Sequence, residues 1–187
     1  MRLTAIRLAS LSLGLATIVA AQVPVPPVKP GLWEVRSMAL DANGREIPAP
    51  EQAAFARLSP EARAQMAEAM KARGVAMPDA NGATKVCFTK EIFESGRWQQ
   101  MAAETGCTTN YSARTGSLWK WHSSCPARQS ESDGEVTFTN AENYKVKMTM
   151  TMPVNGKPNT STRIISSKWL GADCGDVKPF APPAGRK

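Results

Sequence analysis

Four cysteines, Cys87, Cys107, Cys125 and Cys174, lie behind an N-terminus that carries the marks of export, and no other feature narrows the range of folds as much. Arg2 and Arg7 precede an apolar run of about a dozen residues, LASLSLGLATIVA, in which Val19-Ala20-Ala21 offers the small side chains that a signal peptidase reads. Residues 1–21 therefore read as a signal peptide. The run is shorter than the roughly 20 apolar residues of a membrane span. The mature chain is expected to begin at Gln22, in the periplasm or secreted, with no lipid anchor and no membrane-spanning segment. In an oxidising compartment an even number of cysteines reads as two disulfides. Their spacings of 20, 18 and 49 include no C-x-x-C and match no zinc-knuckle pattern.

Four cysteines allow three connectivities, and the chain between two of them favours one. CTTNYSAR and SLWKWHSSC flank the turn-like Thr115-Gly116-Ser117. With Gly116 at the centre of a three-residue loop, Cys107 faces Cys125 and Tyr111 faces Trp121 across a hairpin. Period-two alternation then puts Tyr111, Trp119, Trp121 and both cysteines on one face. Cys87 and Cys174 pair by elimination, closing a loop of about 90 residues that ties the tail to the body.

Around these bridges the chain reads as one domain. Gln22–Pro30 holds four prolines and is expected to be an extended leader. Gly31–Leu40 alternates as a first strand, and Asp41-Ala42-Asn43-Gly44 is a turn. In the helical insert 49–74, Phe55, Leu58, Ala62, Met66 and Met70 recur at helical spacing. Ser59-Pro60-Glu61 starts the longer helix of the insert, 60–73, and Gly74 ends it. Its apolar face suits packing on the domain; a lid is the alternative, and the mixed Glu and Arg of the polar face argue against lipid binding.

Residues 84–89 read as a strand, and 89–105 as helix broken at Ser95-Gly96. Strands follow at 107–114, 117–124, 134–140, 143–152 and 159–169, with Asn155-Gly156 marking a hairpin. A tight loop at 140–143 would set Phe138 against Tyr144 and Val136 against Val146. Residues 179–187 read as a flexible tail. The expected fold is α+β: a curved, partly barrel-like antiparallel sheet of about six or seven strands, two or three helices packed on one side, and two disulfides. The domain proper spans 31–178.

Several of these segments occur in a familiar order. Lys29-Pro30-Gly31-Leu32-Trp33-Glu34-Val35 follows the Pro-rich leader, and Trp169-Leu170-Gly171-Ala172-Asp173-Cys174-Gly175 stands near the end. Between them come C-F-T at 87–89, G-C at 106–107, W-x-W-x-x-x-C at 119–125, G-E-V-T-F at 134–138 and Y-x-V-x-M-T-M at 144–150. In these motifs the chain resembles the bacterial exported family catalogued as domain of unknown function 3617, over Lys29–Cys174. The resemblance implies a small envelope protein with no assigned activity, and it carries over no catalytic or binding residue.

The residues themselves indicate no enzyme. No G-x-S-x-G, H-E-x-x-H or P-loop is present, and His122, the sole histidine, falls on the hairpin face opposite Trp121. Glu131 and Asp133 read as loop residues. Removing Arg2 and Arg7 takes the charge from +7 to +5, scattered without a basic stripe, which argues against nucleic acid as a partner. Two candidate sites remain. Trp33, Tyr111, Trp119 and Trp121 could line an apolar pocket for a small molecule or lipid. Met148, Met150 and Met152 place three thioethers on one strand face and, with His122, could take Cu(I), although gap-filling in a core is the commoner use of methionine. No cofactor is expected. The leading reading is a non-enzymatic exported binding or structural protein.

Overall fold

The computed structural model describes residues 25–41, 43–79, 81–96 and 106–181. The expected signal peptide, the second helical piece before Gly106 and residues 182–187 lie outside them. The elements run β1 (Gly31–Leu40), β2 (Glu46–Pro48), α1 (Pro50–Ala56), α2 (Pro60–Ala72), β3 (Ala83–Phe88) and α3 (Lys90–Glu94). Then come β4 (Thr108–Arg114), β5 (Leu118–Cys125), β6 (Ser130–Asn140), β7 (Asn143–Val154) and β8 (Lys157–Gly171). The fold is α+β, as the alternation implied.

β4 to β8 form an antiparallel meander, and β8 returns to pair with β1. The open sheet has the order β2-β1-β8-β7-β6-β5-β4, with β3 also on β1. Along the outer edge of β1, β3 covers Gly31–Arg36 and β2 covers Met38–Leu40. Ser37 falls in the gap, and the Gln52 side chain closes it by donating from Nε2 to the Ser37 carbonyl at 2.8 Å. β2 is the eighth strand, three exposed residues beyond the Asp41 turn with too little alternation to announce themselves.

Two registers carry the rest. At the β7–β8 hairpin, Asn155 and Gly156 both take positive φ, 53° and 74°, as a two-residue type I′ turn requires. In the β4–β5 hairpin, Tyr111 faces Trp121 as the loop argument expected, yet Arg114 faces Trp119, one step out of that register. A bulge between Tyr111 and Ala113 absorbs the step. Without it every side chain beyond would point to the other face. β6 also begins at Ser130 rather than near 134. Its polar start resembles a loop in composition, but Glu131 and Asp133 are paired on both sides, with Ser124 and Thr151 and with His122 and Thr149.

Each end of the sheet has a bridge. Cys87 and Cys174 are joined with Cα atoms 5.6 Å apart, and Cys107 and Cys125 with Cα atoms 4.2 Å apart. The first pins a chain segment that would otherwise end free. Beyond Cys174, Phe180 donates its backbone N–H to the Cys87 carbonyl and Ala181 donates to that of Arg73. The Phe180 ring packs edge-on against Phe88 at 5.7 Å. Pro179–Ala181 are thus held within the region expected to be a flexible tail.

Helix α2 starts as its sequence dictates: the Ser59 hydroxyl accepts from the Ala62 N–H at 3.2 Å, with Pro60 at the first helical position. It buries none of its residues, and Met66 is 38% exposed. The stripe expected to pack on the domain is therefore only partly covered; just beyond the helix's C-terminal end, Gly74 packs against Lys178 and Pro179. Among the described residues no helix is long and apolar enough to cross a membrane.

Candidate functional site

The two sheet faces differ in chemistry. One carries Glu34, Lys168, Lys145, Lys147, Glu135, Lys120, Asp133 and His122, with ion pairs such as Lys120–Glu135 at 2.9 Å. Such exposed pairs contribute little stability, roughly 0–1 kcal/mol each. The other face is apolar and divides into two halves.

In the first half, aromatic rings fill the space between strands. Trp33 on β1 meets Tyr144 on β7 with centroids 5.2 Å apart; Tyr144 meets Phe138 at 6.0 Å, Phe138 meets Trp119 at 5.4 Å, and Trp119 meets Tyr111 at 6.4 Å. Tyr111 then reaches Trp121 at 6.5 Å. Val28 from the leader and Val146 pack against this chain of rings. Trp33 is fully buried and Trp119 is 8% exposed, so these two are core. Tyr111 and Trp121 stay half-buried at its margin. Burial pushes the Tyr144 hydroxyl pKa above its ordinary value.

The two terminal motifs meet beside this half. Trp33 donates its indole N–H to the Lys29 carbonyl and Trp169 donates to that of Pro30, each at 3.0 Å. The Lys29 ammonium lies 4.8 Å from the Trp169 ring centroid and pairs with Glu142 in the β6–β7 turn. Gly31 has φ 132°, and a Cβ there would overlap the Gly171 carbonyl, so only glycine fits the crossing. K-P-G-L-W and W-L-G are thus two sides of one clamp between β1 and β8.

The second half is built differently. Met148 stands between Gly134 on β6 and Arg163 on β8, and Met150 between Ser132 and Ser161. Met152 faces Asn159 and is 40% exposed, while Met148 and Met150 are half-buried. Trp121 borders the strip. Its indole lies over Gly134 so closely that a Cβ on that residue would overlap the ring. A glycine inside a strand marks such an approach, but with the strand expected to begin at 134, Gly134 went unread. On the β6 side Met148 and Met150 therefore have glycine and serine as lateral neighbours where the aromatic half has rings, while on the β8 side Arg163, Ser161 and Asn159 flank the strip.

His122 does not join them. It pairs in register with Asn110 and Asp133, on the face opposite Met148, and its Nδ1 lies at hydrogen-bond distance, 3.0 Å, from Asp133 Oδ1 on the exposed surface. Residues one apart on a strand point to opposite faces, so Trp121 and Gly134 share the methionine face and His122 and Asp133 the other. Among the described residues, no group of three or more His, Cys, Asp and Glu is placed to hold a metal ion.

Fold and site together define an open antiparallel-sheet protein, closed at each end by a disulfide, with an apolar face. The chain belongs to the family described as protein of unknown function (DUF3617), whose model matches residues 28–174. It is 32% identical, over 134 residues, to an uncharacterised protein of the lpd-3 5′ region of Pseudomonas putida, covering 70% of this chain and 89% of that one. No solved structure matches. The clamp and both bridges lie within the matched region.

Proposed function

We propose that this is a non-enzymatic, exported binding protein whose working surface is the methionine half of the apolar sheet face, and whose ligand is an apolar small molecule or a lipid chain. One observation carries the reading: Met148, Met150 and Met152 line one strand face half-open, flanked by Gly134 and Ser132 on β6 and by Arg163, Ser161 and Asn159 on β8, beside Trp121. Thioether chains are flexible and polarisable, and they adapt to irregular apolar partners. The small neighbours on the β6 side leave room beside them, and Trp121 supplies a flat aromatic border. The full aromatic half acts as a rigid support. Two disulfides suit a chain that works in an oxidising compartment, which agrees with the export signal read at 1–21.

The test is native mass spectrometry of the mature chain purified from the periplasm, alongside a Met148→Ser, Met150→Ser, Met152→Ser variant. The expected result is a co-purified apolar mass, extractable into organic solvent, that the triple variant loses while keeping its fold. A wild-type protein that carries no such mass, and binds no decanol when titrated, would end the reading.

A further inference from the structure

An apolar concavity lies where α2 meets the segment after Cys174. Its volume is about 300 Å³, and it is lined by Ala67, Val75, Ala76, Met77 and Val177, with Lys71, Lys178 and Asp176 also bordering it. It is a built feature. Gly74 is buried against the backbone of Lys178 and Pro179, which the Phe180 and Ala181 hydrogen bonds and the Cys87–Cys174 bridge hold in place. Val75 forms a bridge with Val86 of β3, fixing the other wall to the sheet.

We infer that this concavity is a binding site for a free single-chain carboxylate, a fatty acid of medium length. Its size is at the lower end of the roughly 300–1,000 Å³ of small-ligand sites and equals about ten water volumes, enough for a short acyl chain but not a two-chain lipid. Its lining is aliphatic, with Met77 as the adaptable wall. Its border carries two lysines against one aspartate, a net positive charge that complements one carboxylate. Lys71 also stands at the carbonyl end of α2, where a cation is favourable without a ligand; Lys178 has no helix end to serve. Neither ammonium has an ion-pair or hydrogen-bond partner among the described residues. This site is independent of the methionine face: no residue is shared.

The test titrates the mature chain, labelled at the methionine methyls, with decanoate below its micelle concentration, with decanol and decylammonium as controls. Saturable movement of the Met77 methyl by decanoate is expected, with at least tenfold weaker response to decylammonium. Lys71→Gln with Lys178→Glu, both at exposed positions and checked for retained fold by the unmoved Met148, Met150 and Met152 methyls, should weaken decanoate at least tenfold, and Ala67→Trp should fill the space and abolish it. An unmoved Met77, or equal binding of decanoate and decylammonium that the charge substitutions leave unchanged, would overturn the inference. The Met148, Met150 and Met152 methyls report the other face in the same spectra, so each proposal fails on its own resonances.

Discussion

The two halves of the apolar face share one sheet, the same strands and the same alternation, yet one is filled and the other left half-open. In the first, Trp33 on β1 reaches across β8 to Tyr144 on β7, and Tyr144, Phe138 and Trp119 follow on successive strands, ring to ring. In the second, β6 places glycine and serine beside methionine, and β8 places Arg163, Ser161 and Asn159 there. Alternation decides which face is apolar; the volume of the side chains decides whether that face closes on itself. The bridges follow the same division. Cys87–Cys174 lies at the aromatic end, where Cys87 faces Leu32, and Cys107–Cys125 at the methionine end, where Cys125 faces Ser130.

If the aromatic half carries stability and the methionine half carries binding, substitutions in each should separate cleanly. The largest effect belongs to the long bridge. Cys87→Ser with Cys174→Ser opens a loop with a separation of 87 residues, against 18 for the other bridge. Loop entropy puts the losses at about 4.5 and about 3 kcal/mol, and urea unfolding of both double variants should show the first as less stable. Trp33→Ala, at the one large side chain with no exposure among the described residues, should cost about 3–5 kcal/mol by the same measurement. A loss below about 1 kcal/mol would break the comparison, because a core position cannot be that tolerant.

Gly134→Ala sits on the border between the halves. The added methyl must displace the Trp121 indole, costing about 1–3 kcal/mol and shifting its fluorescence toward that of an exposed ring. Met150→Ser should change stability by roughly 1 kcal/mol or less, being half-buried, while weakening the apolar ligand. The smallest effect concerns pH. Burial raises the Tyr144 pKa in the folded state, so its contribution is complete below the unfolded value of about 10 and is lost as pH rises through the folded value. Unfolding curves taken from pH 9 upward should show that decline, and Tyr144→Phe should flatten it.

Much of this was legible in the chain. Alternation in 143–152 and 134–140 located β6 and β7, and Asn155-Gly156 gave their neighbour's turn. The hairpin around Gly116 was read in the right register at Tyr111 and Trp121, although its loop is one residue off. Ser112, the bulged residue that reconciles the two, carries no local signal because a bulge answers to the neighbouring strand. The polar start of β6 was hidden for a similar reason: Glu131 and Asp133 are strand residues only because β5 and β7 flank them. Face assignment separated His122 from Trp121, but relating it to Met148 required the order of the sheet. The α2 concavity was out of reach, since it depends on the tail crossing Gly74, a contact between segments about a hundred residues apart.

The central claim, that the methionine half is a binding surface, is tested most directly by one titration. With methionine methyls labelled in the mature chain, decanol should move Met148, Met150 and Met152 together and saturably, and leave Met66 on the exposed side of α2 unchanged. Resonances of the three strand methionines that stay fixed while the protein remains folded, or that move no more than Met66, would contradict it.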